Sequence, residues 1–147
     1  MSRPDGASAP PERAVRVGIG LIERSGCYLV RRRPPGTVYA NYWEFPGGKC
    51  EEGESPEAAT RRECLEETGM HVSVRSLRRV ISHRYPHARV EMFFYDCVLE
   101  DPRAEPEAGT GFRWARAEAL PALAFPEANG PILEALARAG AEERGTP

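Results

Sequence analysis

The chain has 147 residues with 41% hydrophobic and 29% charged side chains, a formal net charge of −2 and an isoelectric point near 6.0. That length suits one domain able to bury a real core, and the balanced charge argues against a duplex nucleic-acid binder, which needs a basic face. Four cysteines at unpaired spacings, Cys27, Cys50, Cys64 and Cys97, read as reduced, mostly buried thiols and not as a disulfide frame or zinc site.

Residues Met1 to Arg13 are rich in Pro, Ser, Gly and Ala and have little to bury, so a disordered leader over 1–13 is expected, with folding from Ala14. Val15, Val17, Ile19 and Leu21 alternate with other residues, which predicts a strand, and Ser25 and Gly26 turn it into a hairpin partner from Cys27 to Val30. Arg31, Arg32 and Arg33 end that strand. Strand alternation sends Arg32 to one face and the other two to the opposite face. Such arginines either guard a strand end from aggregation or serve a site.

After the Pro34-Pro35-Gly36 loop, Tyr39 to Phe45 reads as a short strand, and Pro46, Gly47 and Gly48 as a turn whose backbone can approach a ligand closely. Trp43 and Phe45 suit a core better than a ligand contact, while Glu44 between them faces solvent or a site. His71 to Val80 and Arg89 to Leu99 predict two more strands, the second apolar enough to lie centrally in a sheet. His83, Tyr85 and His87 are expected in the loop between them. Asp101 to Thr110 is a polar loop, Phe112 to Trp114 a short strand and Ala117 to Leu120 a helical turn. The last helix, carried by Ile132, Leu133, Leu136 and Ala139, is expected to stop at Gly140, leaving 140–147 as a frayed tail.

No apolar run approaches the length of a membrane span and no signal-type segment opens the chain, so a cytoplasmic protein without membrane partners is expected. Strands with one helix in the middle and one at the end predict an α/β protein: an α/β/α sandwich with a mixed β-sheet between helices.

The chemistry concentrates between Gly47 and Met70 (GGKCEEGESPEAATRRECLEETGM). Ser55 is a good N-cap, Pro56 suits the first helical position, Glu57 the positive helix end, and Gly69 the stop. On that helix Glu63, Glu66 and Glu67 fall at i, i+3 and i+4 and share a face, with β-carbons roughly 5–6 Å apart. They crowd the negative end of the helix dipole, where each costs a few tenths of a kcal/mol. A solvated acidic surface can look the same, but a divalent cation would offset the cost, and hard carboxylate oxygens suit Mg²⁺ or Mn²⁺.

Counted from Gly48, five residues lead to Glu54, seven more to Arg62, and Glu63-Cys64-Leu65-Glu66-Glu67-Thr68-Gly69 follow. This arrangement resembles the Nudix box of the Nudix hydrolases, with every glycine, glutamate and arginine position filled. Cys64 departs mildly, standing where the family usually has a larger aliphatic residue, and looser packing is expected there. The resemblance covers about Ala14 to Ala139 and implies the Nudix-type sandwich over 14–139, together with Mg²⁺- or Mn²⁺-dependent hydrolysis of a nucleoside diphosphate linked to another group. It implies Glu63, Glu66 and Glu67, with the backbone carbonyl of Gly47, as metal ligands and catalytic groups. Glu63 stands where some members draw a general base. Arg62 would orient the carboxylates and Glu54 would tie loop to helix. A small nucleotide substrate and a monomer or weak homodimer are expected.

Within the family the chain looks most like MutT-type 8-oxo-dGTP diphosphatases, through the arginines before the loop, WEFPGGK, and FPEAN ahead of the last helix. That likeness implies Arg33 as a phosphate contact, Glu44, Phe45, Pro46 and Gly47 as the nucleotide-lining strand and turn, and Asn129 as the reader of the base. One carboxamide can donate to O6 and accept from the N7 hydrogen of 8-oxoguanine, a pairing that guanine cannot reproduce. Local sequence equally allows Asn129 as an N-cap or an Asn-Gly turn. Glu107 matches only loosely a loop glutamate that some relatives use as a further ligand. A pyrimidine triphosphate such as CTP or 5-methyl-dCTP, or a non-catalytic nucleotide-binding module, are the competing expectations.

Overall fold

The computed structural model describes residues 14–86 and 88–145; the expected leader and His87 lie outside them. Seven strands among these residues form one mixed sheet: β1 (Ala14–Arg24), β2 (Cys27–Arg32), β3 (Trp43–Glu44), β4 (Gly47–Lys49), β5 (Val72–Tyr85), β6 (Ala88–Leu99) and β7 (Arg113–Arg116). Their order is β3-β2-β1-β6-β5, with β4 on β1 and β7 on β2. The β6 strand runs parallel to β1 and antiparallel to β5, so its apolar run is paired on both edges, as expected. Helices α1 (Pro56–Thr68) and α2 (Gly130–Gly145) complete the sandwich.

Alternation along β1 separates two cores. Ile19 and Leu21 join Phe94, Ile132, Leu133 and Leu136 on the α2 side, while Ile22 joins Cys64, Met70, Tyr95 and Cys97 on the α1 side. Each fully buried aliphatic or Phe side chain stabilises by roughly 1.5–3 kcal/mol. Polar α1 buries only small side chains (Pro56, Ala59, Thr60, Cys64 and Thr68), and it sits close because β1 offers glycines beneath it. A β-carbon on Gly18 would strike the Pro56 carbonyl and Thr60, and one on Gly20 would lie 2.7 Å from Cys64 Sγ. Cys64 is fully buried within the α1-side core, and burial holds its pKa well above the ordinary value. Thr60 and Thr68 donate to the carbonyls of Pro56 and Cys64 at 2.8 and 2.7 Å, so neither buried hydroxyl lacks a partner.

Four expectations change. The strand expected from Tyr39 to Phe45 shrinks to Trp43–Glu44, because Tyr39 and Asn41 adopt positive φ in a turn. Gly47 and Gly48 lie in a strand, with Ile19 opposite Gly47 and Gly18 opposite Gly48, because the unsubstituted backbone can press against β1. His83 and Tyr85 sit in β5, which continues as a two-stranded ribbon to Tyr85 opposite Ala88; polar residues there hide the strand from an apolar-periodicity reading. Gly140 does not stop α2, which runs to Gly145. It packs against the 3₁₀ turn Ala117–Ala122, where a β-carbon at 140 would lie 2.9 Å from that of Ala117. Tertiary packing outweighs the helix penalty of glycine there.

Candidate active site

The acidic half is built around α1. Ser55 Oγ accepts from the Ala58 N–H at 3.1 Å and Gly69 closes the helix at φ 79°. The loop before it is held by Glu54, which accepts the Glu51 N–H at 2.9 Å and takes both Nε and Nη2 of Arg62 at 2.9 Å. These bonds to Arg62 and Glu51 hold the Glu54 carboxyl down at about 2 and raise Arg62 further above its already high value. From that anchor Arg62 Nη1 reaches Glu63 Oε2 at 2.9 Å and Glu66 Oε1 at 3.3 Å, and Nη2 donates to the Lys49 carbonyl at 3.1 Å. One guanidinium thus spans the loop, β4 and two of the three helix glutamates.

Glu63 and Glu67 lean toward β4. The Glu63 carboxylate occupies the space a side chain at Gly48 would need, and Glu67 Oε1 accepts from the Gly47 N–H at 3.2 Å. Burial pushes the Glu67 carboxyl up to about 7, against the Gly47 hydrogen bond and the Arg31 charge, which pull it down. Glu66 stays more exposed, with 57% of its side-chain surface open. Among the described residues no three acidic, histidine or cysteine side chains are gathered tightly enough to hold an ion by themselves. The donors still fit a hard divalent ion of the Mg²⁺ kind, which takes one or two carboxylates and fills its shell with carbonyl, water and substrate phosphate oxygens. Glu67 supports the fit: it is a desolvated carboxylate whose nearest guanidinium nitrogen, Arg31 Nη2, is 3.9 Å away.

The second half is a cleft of about 230 Å³ whose walls include Arg33, Tyr39, Glu44, Gly47, Tyr85 and Asn129, with Trp43, Phe45, Gly48 and Pro126 also lining it. Glu44 is flanked by two arginines, Arg31 of β2 with Nε at 2.7 Å and Arg33 just past its end with Nη1 at 2.6 Å, while Arg32 turns the other way to Asn41 Oδ1 at 3.4 Å. Phe45 is buried, packing on Phe125 with ring centres 4.9 Å apart, and Pro46 is fully buried. Its carbonyl accepts from the Gly20 N–H at 2.9 Å, so Pro46 supports the cleft wall from behind. Asn129 ends the 3₁₀ turn Glu127–Asn129 ahead of α2. Its Nδ2 donates to the Pro126 carbonyl at 3.3 Å, whereas a helix cap would use the side-chain oxygen as acceptor. Glu107 lies over Gly69 at the C-terminus of α1, its backbone N–H bonded to the Thr68 carbonyl at 2.9 Å.

By alternation the sequence puts Arg31 on the face of Arg33 but gives it no role of its own, and gives none to Tyr39 or Tyr85. Tyr39 and Tyr85 approach from distant segments, with ring centres 6.5 Å apart, a pairing that no local pattern signals.

A fold with carboxylates set against a Gly-Gly strand, opening into a cleft that carries arginines, has the parts of an enzyme that opens phosphoric anhydrides. A family model described as the NUDIX domain matches residues 18–135. An 8-oxo-dGTP diphosphatase of Escherichia coli (strain K12) is 32% identical over 127 residues, covering 84% of this chain and 97% of that one. A CTP pyrophosphohydrolase of the same strain is 39% identical over 77 residues, or 50% of this chain and 57% of that one. The solution structure of the E. coli ORF135 protein superposes with a TM-score of 0.74 at 26% identity, covering 99% and 100% of the two chains. The chain belongs to the Nudix hydrolase family and is a hydrolase of pyrophosphate bonds. Among the described residues no helix is long and apolar enough to cross a membrane.

Proposed function

We propose that this hydrolase is a cytoplasmic nucleoside triphosphate pyrophosphohydrolase that uses Mg²⁺ or Mn²⁺ and takes 8-oxo-dGTP to 8-oxo-dGMP and pyrophosphate, clearing oxidised nucleotide before it enters DNA. One observation supports the reading: a single cleft is lined by Gly47 and Gly48, against which Glu63 and Glu67 lean, together with Arg33, Glu44 and Asn129.

Glu63, Glu66 and Glu67, with the Gly47 carbonyl, would hold the cation. When bound, it neutralises phosphate charge, polarises the anhydride and lowers the pKa of a water. Arg62 keeps Glu63 and Glu66 oriented by drawing its own rigidity from Glu54. Glu63, beside Gly48, would take the proton of a water attacking a phosphorus inside the triphosphate, and Arg33 would meet phosphate oxygens. The Pro126 carbonyl uses one amide hydrogen of Asn129 and fixes which way the carboxamide points. Its second hydrogen and Oδ1 remain for O6 and the N7 hydrogen of 8-oxoguanine. A site built for that hydrogen bond can reject the analogue lacking it by roughly 10⁴.

A second reading keeps the reaction and changes the base to CTP or 5-methyl-dCTP, and the CTP pyrophosphohydrolase relative favours it. Steady-state pyrophosphate release from 8-oxo-dGTP, dGTP and CTP separates the two. The first reading expects kcat/KM to be highest for 8-oxo-dGTP, with monophosphate and pyrophosphate as products. Equal values for 8-oxo-dGTP and dGTP, or orthophosphate as product, would count against it.

A further inference from the structure

Glu44 sits between two guanidinium groups, accepting Arg31 Nε on Oε2 at 2.7 Å and Arg33 Nη1 on Oε1 at 2.6 Å. Within this trio two guanidinium groups share one carboxylate, with Glu67 as a more distant second partner of Arg31, while Arg33 and Glu44 line the cleft. Which arginine Glu44 keeps depends on how each is held. Arg31 is fixed from several sides: its guanidinium carbon lies 4.5 Å from the Phe112 ring centre, Nη1 donates to the Thr110 carbonyl at 3.4 Å, and Nη2 is 3.9 Å from Glu67 Oε2. Arg33 has its Nε on the Val38 carbonyl at 2.6 Å and keeps about a third of its side chain exposed. The stacked, planar Arg31 is the natural permanent partner of Glu44, and Arg33, the more exposed of the two, is the one that lines the cleft.

We propose that Arg31 is a positioning residue that holds and neutralises Glu44, so that the charge of Arg33 stays available to substrate phosphate. Without Arg31, Glu44 would pair fully with Arg33 and quench it. The proposal rests on reading Arg33 as a phosphate contact, and it goes further by giving Arg31 a task distinct from that of its neighbour.

The test is a double-mutant cycle measured as kcat and KM for dGTP and 8-oxo-dGTP with Mg²⁺, using Arg31→Met, Glu44→Gln and the pair. Arg31→Met is expected to raise KM about tenfold, within the usual range for coupled contacts. Adding Glu44→Gln should then bring KM back toward the Glu44→Gln value, because no carboxylate is left to capture Arg33. If Arg31→Met does not fold, Arg31→Lys carries the same cycle: it keeps the charge but loses the fork, and a smaller rise in KM should again be relieved by Glu44→Gln. Additive effects in either cycle, or an Arg31 effect seen only as a lower Tm with KM unchanged, would overturn the proposal. Arg33→Ala is the control. If it leaves KM unchanged, the phosphate reading of Arg33 fails and takes this proposal with it; if it raises KM while the cycle is additive, only the proposal fails.

Discussion

The acidic half of the site comes from one unbroken stretch, Gly47 to Gly69, whereas the cleft it shares at Gly47–Lys49 is gathered from β1, Arg33, Tyr39, Trp43 to Phe45, Tyr85, Met92 and Pro126 to Asn129. In the first, caps and a helix period of 3.6 fix the geometry over short distances, with Arg62 tying loop, strand and helix together. In the second, every relationship depends on the sheet bringing remote segments side by side. Local construction makes the acidic half stringent, since small changes there should stop the reaction. On the proposed function, substitutions in the dispersed cleft should change substrate preference while leaving the chemistry in place.

The largest effect separating the halves should come from Glu67→Gln. We expect kcat to fall roughly 10³-fold, as for loss of a positioned base or charge, with KM nearly unchanged. The same change should raise the Tm of the metal-free protein at pH 8, because burial already disfavours the ionised carboxylate; full turnover with metal still required would remove Glu67 from the ligand set. Gly48→Ala comes next. Its β-carbon displaces the Glu63 carboxylate, the mobile end of a side chain, so folding should survive while kcat drops up to about 100-fold, the cost of a misplacement near 1 Å. Circular dichroism melts beside kinetics check both parts.

Gly20→Ala presses on Cys64 Sγ, and we expect a loss of about 1–3 kcal/mol in urea unfolding from overpacking, with the activity of the folded fraction largely kept. The smallest effect concerns acid stability. The Glu54 carboxyl is held at about 2, below its ordinary 4.5. Its contribution is therefore present above pH 4.5 and lost as pH falls toward 2. Glu54→Gln should lower the Tm slightly at pH 7 and flatten the Tm profile between pH 4.5 and 2; an unchanged acid limb would place the anchoring of Arg62 elsewhere.

The same contrast explains what the sequence made legible. Ser55, Pro56 and Gly69 mark α1 because capping is local chemistry, and the i, i+3, i+4 spacing places three glutamates on one face before any coordinates. Alternation likewise pairs Arg31 with Arg33. The strand of Gly47–Lys49 was hidden because its glycines read as a turn until β1 is laid beside them. Gly140 read as a stop because its packing partner, Ala117, lies over 20 residues away in sequence. Even the direction of the Asn129 amide depends on Pro126 adopting the turn that offers its carbonyl.

The central claim is that the Gly47–Gly69 stretch carries the reaction while residues outside it choose the substrate. Its most direct test is the ratio of kcat/KM for 8-oxo-dGTP to that for dGTP in the wild type and in Asn129→Ala. We expect a strong preference for the oxidised nucleotide that collapses toward unity in the variant, with turnover of dGTP retained. A ratio unchanged by Asn129→Ala, or loss of both activities together with an intact fold, would contradict it.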